Sequence, residues 1–333
     1  LKIVLDAMGG DHAPDVTIHG AVWAARDFEI EIQLVGWPDI IQAELGKHDT
    51  TGLSLPIIPA SEIIDMDDQN PANAVKAKPD CSMVVGVQTL KRGETDAFVT
   101  AGHSGGALAA ALLHLRRIRG IKRPAIATVY PCASEWGYCF LLDIGANADC
   151  KPEYLYQFAL MGSSYAEGVL GIPNPRVAIV SNAEEEGKGS TLVRDTIPLL
   201  RDSPFNFVGN VEGKDIPAGL ADVVVTDGFT GNVILKVSEG VGRMMLNAIK
   251  SEIKARPLAV AGAALARPAF KAVGGLLDYR EYGGGVLLGV DGVVIIAHGR
   301  SDAYAVRNAI RAAHRAVESN IISAIKTGLE AAL

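Results

Sequence analysis

The chain has 333 residues, a formal net charge of −7, 49% hydrophobic residues and only 6% aromatics. That length serves one large α/β domain or two smaller ones. The acidic balance argues against general nucleic-acid binding, and the 36 glycines in a core-rich chain point to tight strand-to-helix turns rather than collagen-like or disordered segments.

The first element in chain order is the strand KIVL (2–5). It stops at Asp6 and the turn Met8-Gly9-Gly10-Asp11, a start with neither the charged nor the apolar region of a secretory leader. A helix is expected over 15–26 and a strand over 30–36. A soft boundary at 60–80, rich in Asp, Pro and Lys, precedes a helix at 82–92. The strand at 96–102 runs into TAGHSGG (100–106) and a helix over 104–117. The strand at 138–146 carries DIGAN (143–147) and is followed by a helix over 152–170. The strand at 176–182 opens SNAEEEGKGS (181–190) and a helix over 188–201. The strand at 221–228 opens DGFTGN (227–232) and a helix over 230–254. The strand at 293–299 opens HGRSD (298–302) and a helix over 301–330. These strands are apolar on both faces, as in a parallel sheet covered on each side. Strand–helix alternation along the whole chain predicts a doubly wound, mostly parallel α/β sheet in a single domain, 1–333. No stretch reaches the roughly 18 uninterrupted apolar residues of a spanning helix, so a cytoplasmic location is expected.

Six predicted strands end on a polar residue followed by a turn: Asp6, Thr100, Asp143, Ser181, Asp227 and His298. Ligands of open parallel sheets bind beyond the carboxyl ends of the strands, so these loops are expected to meet along one edge. TAGHSGG delivers a helix N-terminus near Ser104, a natural seat for phosphate, although such a junction is also ordinary architecture. It matches neither GxxxxGK[ST] nor GxGxxG, which leaves nucleotide and dinucleotide sites without support. Lys188 follows Glu184, Glu185 and Glu186; the run reads either as a solvated helix start or as a lysine reaching back to an anion. His298 reads as a backbone-bonded histidine or a site residue, while His103 lies within the glycine-rich turn itself. Asp6, Asp11 and Asp143 lack the tight spacing of metal ligands. The cysteines Cys81, Cys132, Cys139 and Cys150 form no CxxC pair and read as reduced thiols. No metal or cofactor is expected.

Two further segments stand out. In 254–277, Leu258, Ala261 and Leu265 share one helical face, and Phe270, Val273 and Leu277 share another after Pro268. Lys254, Arg256, Arg267 and Lys271 punctuate them. This is a helical hairpin that either packs on protein or dips into a membrane interface with its basic residues towards anionic lipid. Arg116, Arg117, Arg119, Lys122 and Arg123 form a basic patch, either a plain charged surface or a dock for an acidic partner.

DAMGGDHAP (6–14), TAGHSGG (100–106), LDIGANADC (142–150), EEEGKG (184–189), DVVVTDGFTGNVILKVSEG (222–240) and YGGGVLLGVDGVVIIAHGRSDAYAVRNAI (282–310) occur in that order. Together they closely resemble the bacterial acyl-acyl carrier protein:phosphate acyltransferases of phospholipid synthesis, over nearly the whole chain. The family usually has Asn-Thr-Gly-Ala where this chain has His103-Ser104-Gly105-Gly106, Asn-Ile-Gly at 181–183, and Ala-Pro at 285–286. The resemblance implies a fold related to phosphotransacetylases and isopropylmalate dehydrogenases. It also implies a homodimer, peripheral membrane contact, and a place upstream of the membrane glycerol-3-phosphate acyltransferase. Leu258, Val260, Leu265 and Phe270 become the expected lipid contacts, and Arg116, Arg117, Lys122 and Arg123 the expected dock for acyl carrier protein.

The reaction expected is attack of phosphate on an acyl thioester, without a covalent enzyme intermediate; no G-x-S-x-G elbow is present. Gly102, Ser104 and Gly105 are expected to hold phosphate, with Lys188 and His103 offsetting charge and His103 protonating the leaving thiolate. Asp227, Thr230 and Asn232 are expected to form the opposite wall. Asp6, Gly9, Gly10, Asp11, Asn147 and His298 are expected to shape the loops around substrate. The rivals are a phosphotransacetylase acting on short-chain acyl-coenzyme A, a decarboxylating dehydrogenase, which would need nicotinamide and a divalent metal, and a non-catalytic surface-binding module.

Overall fold

The computed structural model describes residues 1–185, 187–276 and 278–331. Glu186 and Leu277, both part of the expectations above, lie outside the described residues. The first half of the chain contains β1 (Lys2–Asp6), α1 (Asp15–Phe28), β2 (Glu31–Gly36), α2 (Pro38–Leu45), β3 (Ile57–Pro59), α3 (Pro71–Ala77), α4 (Ser82–Lys91), β4 (Ala97–Thr100), α5 (Ser104–His114), β5 (Ala125–Pro131), β6 (Tyr138–Leu142) and α6 (Pro152–Gly168). There follow β7 (Val177–Val180), α7 (Thr191–Arg201), β8 (Phe207–Val211), α8 (Asp215–Ala218), β9 (Val223–Val225) and α9 (Gly228–Lys254). The chain closes with α10 (Pro257–Leu265), α11 (Arg267–Leu276), β10 (Gly285–Leu288), β11 (Val293–Ile296), α12 (Ala303–Glu318) and α13 (Ile321–Ala331).

All these strands form one sheet in the order β3-β2-β1-β4-β11-β10-β5-β6-β9-β7-β8. The expected strands pair in parallel, but β5 and β10, which lack a polar strand end, are inserted at the centre and pair antiparallel with their neighbours. Two reversals at β10 and one more at β6 make the two parallel halves run in opposite directions. Register then decides where their ends fall. Ile296 at the end of β11 pairs with Thr100 and with Gly285. Val286 pairs with Ala127, Ala127 with Leu142 at the end of β6, and Leu142 with Val225 at the end of β9. The carboxyl ends of both halves therefore lie within a residue of one row across the middle of the sheet. The polar loops do not line one outer edge of the sheet, as expected; those after β1, β4 and β11 face those after β6 and β9 across a cleft between opposed half-sheets, and the 181–190 loop after β7 contributes nothing to its lining.

Strand residues alternate between two packed faces, as the pleat requires. Ile3 and Leu5 of β1 face a core shared with α1, α6, α7, α12 and α13, while Val4 and Phe98 face α4 and α5. Phe98, Phe140 and Phe158 are fully buried, each contributing about 1.5–3 kcal/mol of burial. The helix expected over 301–330 is two helices. Asn320 adopts φ 53°, a left-handed conformation that asparagine tolerates and that ends α12 before α13 begins. α7 starts at Thr191, after Ser190 caps it by accepting from Val193 N–H at 3.3 Å, and so leaves Lys188 in the preceding loop.

Candidate active site

Each half-sheet braces its end of the row with a buried aspartate. Asp6 Oδ2 accepts from the Thr100 hydroxyl at 2.8 Å and Oδ1 from Met8 N–H at 3.2 Å. Thr100 in turn accepts from Gly102 N–H at 2.9 Å. Gly9 has to be glycine here, since a Cβ would lie 2.6 Å from Asp6 Oδ2. Gly10 follows with φ 114°, and Asp11 N–H donates to Gly299 carbonyl at 2.7 Å, which links the first loop to the HGRSD loop. On the other side Asp143 is fully buried. It accepts from the N–H groups of Ile126, Gly145, Ala146 and Asn147 and from Asn147 Nδ2. Asn147 Nδ2 also donates to the Pro124 carbonyl at 2.7 Å, tying its loop to the start of β5. Burial raises the pKa of both aspartates, and the hydrogen bonds they accept oppose that rise.

Two helices start at this row. His103 caps α5 with its own ring, Nδ1 accepting from Gly105 N–H at 3.1 Å and Gly106 N–H at 3.4 Å. With Nδ1 occupied as an acceptor, neutral His103 carries its proton on Nε2. The N–H groups of Gly102 and Gly105, expected to hold phosphate, are thus engaged by Thr100 and His103, and Ser104 is the part of the turn on the cleft wall. Asp227 caps α9, accepting from Thr230 N–H and from the Thr230 hydroxyl, each at 2.8 Å. Gly231 lets this first turn rest on the Asp143 loop: a Cβ there would lie 1.9 Å from the Asp143 carbonyl oxygen.

A cavity of about 760 Å³ occupies the cleft, within the roughly 300–1,000 Å³ of small-molecule sites. β10 begins only at Gly285, so β5 beyond Ala127 pairs with β6 alone and turns Thr128–Pro131 towards the cavity. Ile126, Val129, Ile144, Leu235 and Leu246 supply apolar wall. Tyr130 Oη and Ser238 Oγ, 2.8 Å apart, join β5 to α9 across it. Of the residues expected from sequence, Asp11, Ser104, Asn232 and His298 line this space. Asp6, Gly9, Gly10, Gly102, Gly105, Asn147, Asp227 and Thr230 stand behind it as the loops and caps just described.

The cavity also collects residues that sequence reasoning missed. Lys236, Glu239 and Arg243 follow the expected Asn232 along α9 at spacings of four, three and four, one face of a helix, and all line the cavity. Arg300 joins them from the HGRSD loop. Burial, then the charges of Lys236 and Arg300, lowers the pKa of His298 and favours its neutral form. The polar periodicity of α9 was present in DGFTGNVILKVSEGVGR as a signal.

Other expected residues lie apart. Lys188 is exposed, with its N–H donating to Glu185 carbonyl at 3.0 Å, and does not line the cavity. Arg116, Arg117, Lys122 and Arg123 are exposed beside the turn from β10 to β11, where Arg117 bridges to Val290. That turn is at the opposite end of β11 from His298, about 17 Å away along the strand. Leu258, Val260, Leu265 and Phe270 are exposed on α10 and α11, Leu258 at 89% and Leu265 at 87%. Among the described residues one group, Glu184, Glu212 and Asp215, brings carboxylate oxygens within 4.8 Å of one another. Lys214 already bridges Glu184 and Glu212 at 3.2 and 2.6 Å, answering that charge without a metal. No helix among the described residues is long and apolar enough to cross a membrane.

Comparison with known proteins places this geometry. Residues 1–324 match the model of the family described as fatty acid synthesis protein. A phosphate acyltransferase of Heliobacterium modesticaldum is 50% identical over 327 residues, 98% of this chain and 97% of its own. Among solved structures, a phosphotransacetylase from Streptococcus pyogenes superposes with TM-score 0.63 at 18% identity, covering 98% of this chain and 93% of its own. A 4-hydroxythreonine-4-phosphate dehydrogenase from Klebsiella pneumoniae gives TM-score 0.52 at 13% identity, over 95% and 98% of the two chains. The structural likenesses share the α/β fold, and the sequence match goes further: the chain belongs to the phosphate acyltransferase family and is an enzyme of that family.

Proposed function

We propose that this enzyme transfers the acyl group of a long-chain acyl-acyl carrier protein to inorganic phosphate, forming acyl-phosphate for phosphatidic acid and phospholipid synthesis. The observation that carries this reading is one cavity with an apolar wall and a basic, polar end, set where the strand ends of the two half-sheets meet. An acyl thioester needs the first and an anionic nucleophile the second. A phosphate oxygen attacks the thioester carbonyl, the tetrahedral intermediate collapses, and the carrier's thiolate leaves. Both reactants arrive activated, so the protein's part is to position them and stabilise the developing oxyanion. Asn232 and Ser104 lie on the wall where they would orient the reacting groups. His103 Nε2–H is a candidate proton donor to the thiolate, and Asp227 and Thr230 hold the start of α9. Lys188 would act only by moving its loop towards the cleft.

The surface reading belongs to the same proposal. Phe229, Val233, Val237, Val241 and Met244 form an exposed apolar stripe on α9 at spacings of four and three, suited to a second copy of the chain in a homodimer. Leu258 and Leu265 at the tip, with Arg256, Arg267 and Lys271 nearby, suit a peripheral lipid contact. That contact would hold the enzyme near the membrane glycerol-3-phosphate acyltransferase that uses its product. The basic patch at 116–123 would receive the acidic carrier. The test is to supply purified protein with palmitoyl-acyl carrier protein and phosphate, and separately with acetyl-coenzyme A and phosphate. Acyl-phosphate from the first pair supports the reading; turnover of acetyl-coenzyme A alone replaces it with a phosphotransacetylase.

A further inference from the structure

The polar end of the cavity holds two cations on a single carboxylate oxygen. Lys236 Nζ and Arg300 Nη2 each lie 3.3 Å from Glu239 Oε2. Lys236 Nζ is also 3.4 Å from His298 Nε2. These contacts are longer than the roughly 2.7–2.9 Å of a tight charge-assisted hydrogen bond. An ammonium and a guanidinium each carry more donors than one carboxylate oxygen accepts, and these two cations outnumber the carboxylate they share, while Asp11 also lines the cavity. Arg243, four residues beyond Glu239 on the same face of α9, adds a cation from the cavity wall. The first turn of α5 reaches the same space through Ser104, bringing the positive end of a helix dipole. Lys188, the cation expected here from sequence, is not on this wall.

We propose that Lys236 and Arg300, spaced by Glu239, form the binding site for a phosphate group in this enzyme. The inference rests on the acyl-transfer reading and assigns its anion site. Glu239 keeps the two cations apart without ligand and yields them to the stronger, multiply charged acceptor when phosphate enters. Two sources supply that chemistry: inorganic phosphate as the nucleophile, or the phosphodiester of the donor's prosthetic arm.

The experiment compares the wild type with Lys236→Ala, Lys236→Arg and Arg300→Ala, using Lys250→Ala on the exposed part of α9 as control. KM for phosphate and KM for acyl donor are measured separately, melting temperature is recorded, and binding of inorganic phosphate alone is followed by calorimetry. For an inorganic phosphate site, Lys236→Ala and Arg300→Ala each raise KM for phosphate roughly tenfold or more with a smaller change in donor KM, and weaken calorimetric binding in step. Lys236→Arg recovers most of the loss, and the melting temperatures agree with the control. If donor KM rises instead while phosphate binding is unchanged, the site holds the phosphodiester of the arm. If neither constant moves in either alanine variant, the proposal is overturned. Should the wild type show no phosphate-dependent turnover, the acyl-transfer reading fails, and calorimetry with the same variants still decides whether Lys236 and Arg300 bind phosphate.

Discussion

α12 and α9 are both long helices beside the sheet, and they differ in what they bury. α12 sinks seven of its sixteen residues into the core, from Ala305 to Ala316 along one face. α9 has twenty-seven residues, and only Gly228 and Gly231 are buried. α12 is thus held by the body along its length. α9 is clamped at its first turn and then runs out as an arm, with cavity residues on one face and exposed apolar residues on another. Stability and function are thus carried by separate parts of this helix. Changes at the clamp should unfold the protein, whereas changes farther along the arm should alter what it binds.

The clamp itself gives the strongest test. Gly231→Ala drives a Cβ into the Asp143 carbonyl oxygen, and the backbone shift needed should cost about 3 kcal/mol, measured by chemical denaturation. An unchanged midpoint would break the distinction between clamp and arm.

Asp6 offers a second test with a defined sign. Burial raises its folded-state pKa above the ordinary aspartate value. Its contribution to stability is therefore complete below the unfolded-state pKa and is lost as pH rises through the folded one. The stability of the wild type relative to Asp6→Asn should fall as pH rises from the ordinary aspartate range upwards. A difference that grows with pH would contradict the assignment.

Farther along, the hydroxyl pair between Tyr130 and Ser238 is one of the few ties from body to arm. Tyr130→Phe should cost about 1 kcal/mol and sharpen the boundary, with its loss confined to α9 in hydrogen exchange. At the tip, Leu258→Asp with Leu265→Asp should change folding stability by less than about 0.5 kcal/mol while abolishing binding to anionic liposomes. Retained liposome binding would remove the tip as the lipid contact.

The seven strands expected from sequence are all present because each is an apolar run long enough to be buried on both faces. β5 and β10 escaped notice for different reasons. β5, AIATVYP, ends without the polar turn that marked the others, and β10, GVLL, is four residues following glycines. Missing them hid the opposition of the two half-sheets, since an apolar strand carries no local sign of its direction. The strand-end loops were legible because Asp, Thr and Gly punctuate them. What those residues do was less so: His103 and Asp227 cap their own helices, and Asp6 and Asp143 hold turns together. Lys236, Glu239 and Arg300 come together only through the non-local crossing of α9 over the β11 loop, which no spacing in the chain specifies. Lys188 stood out through its glutamate neighbours, yet Ser190 starts the helix after it.

The proposed acyl transfer is assigned to the cavity beneath α9. Gly242 lines that cavity, and a Cβ added there meets nothing within 4 Å. Gly242→Trp therefore fills the space without straining the backbone, and the most direct measurement is its rate of phosphate-dependent acyl-phosphate formation beside the wild type's. The account predicts a loss of roughly a hundredfold or more with the melting temperature preserved. A variant that folds and turns over at the wild-type rate would place the chemistry elsewhere.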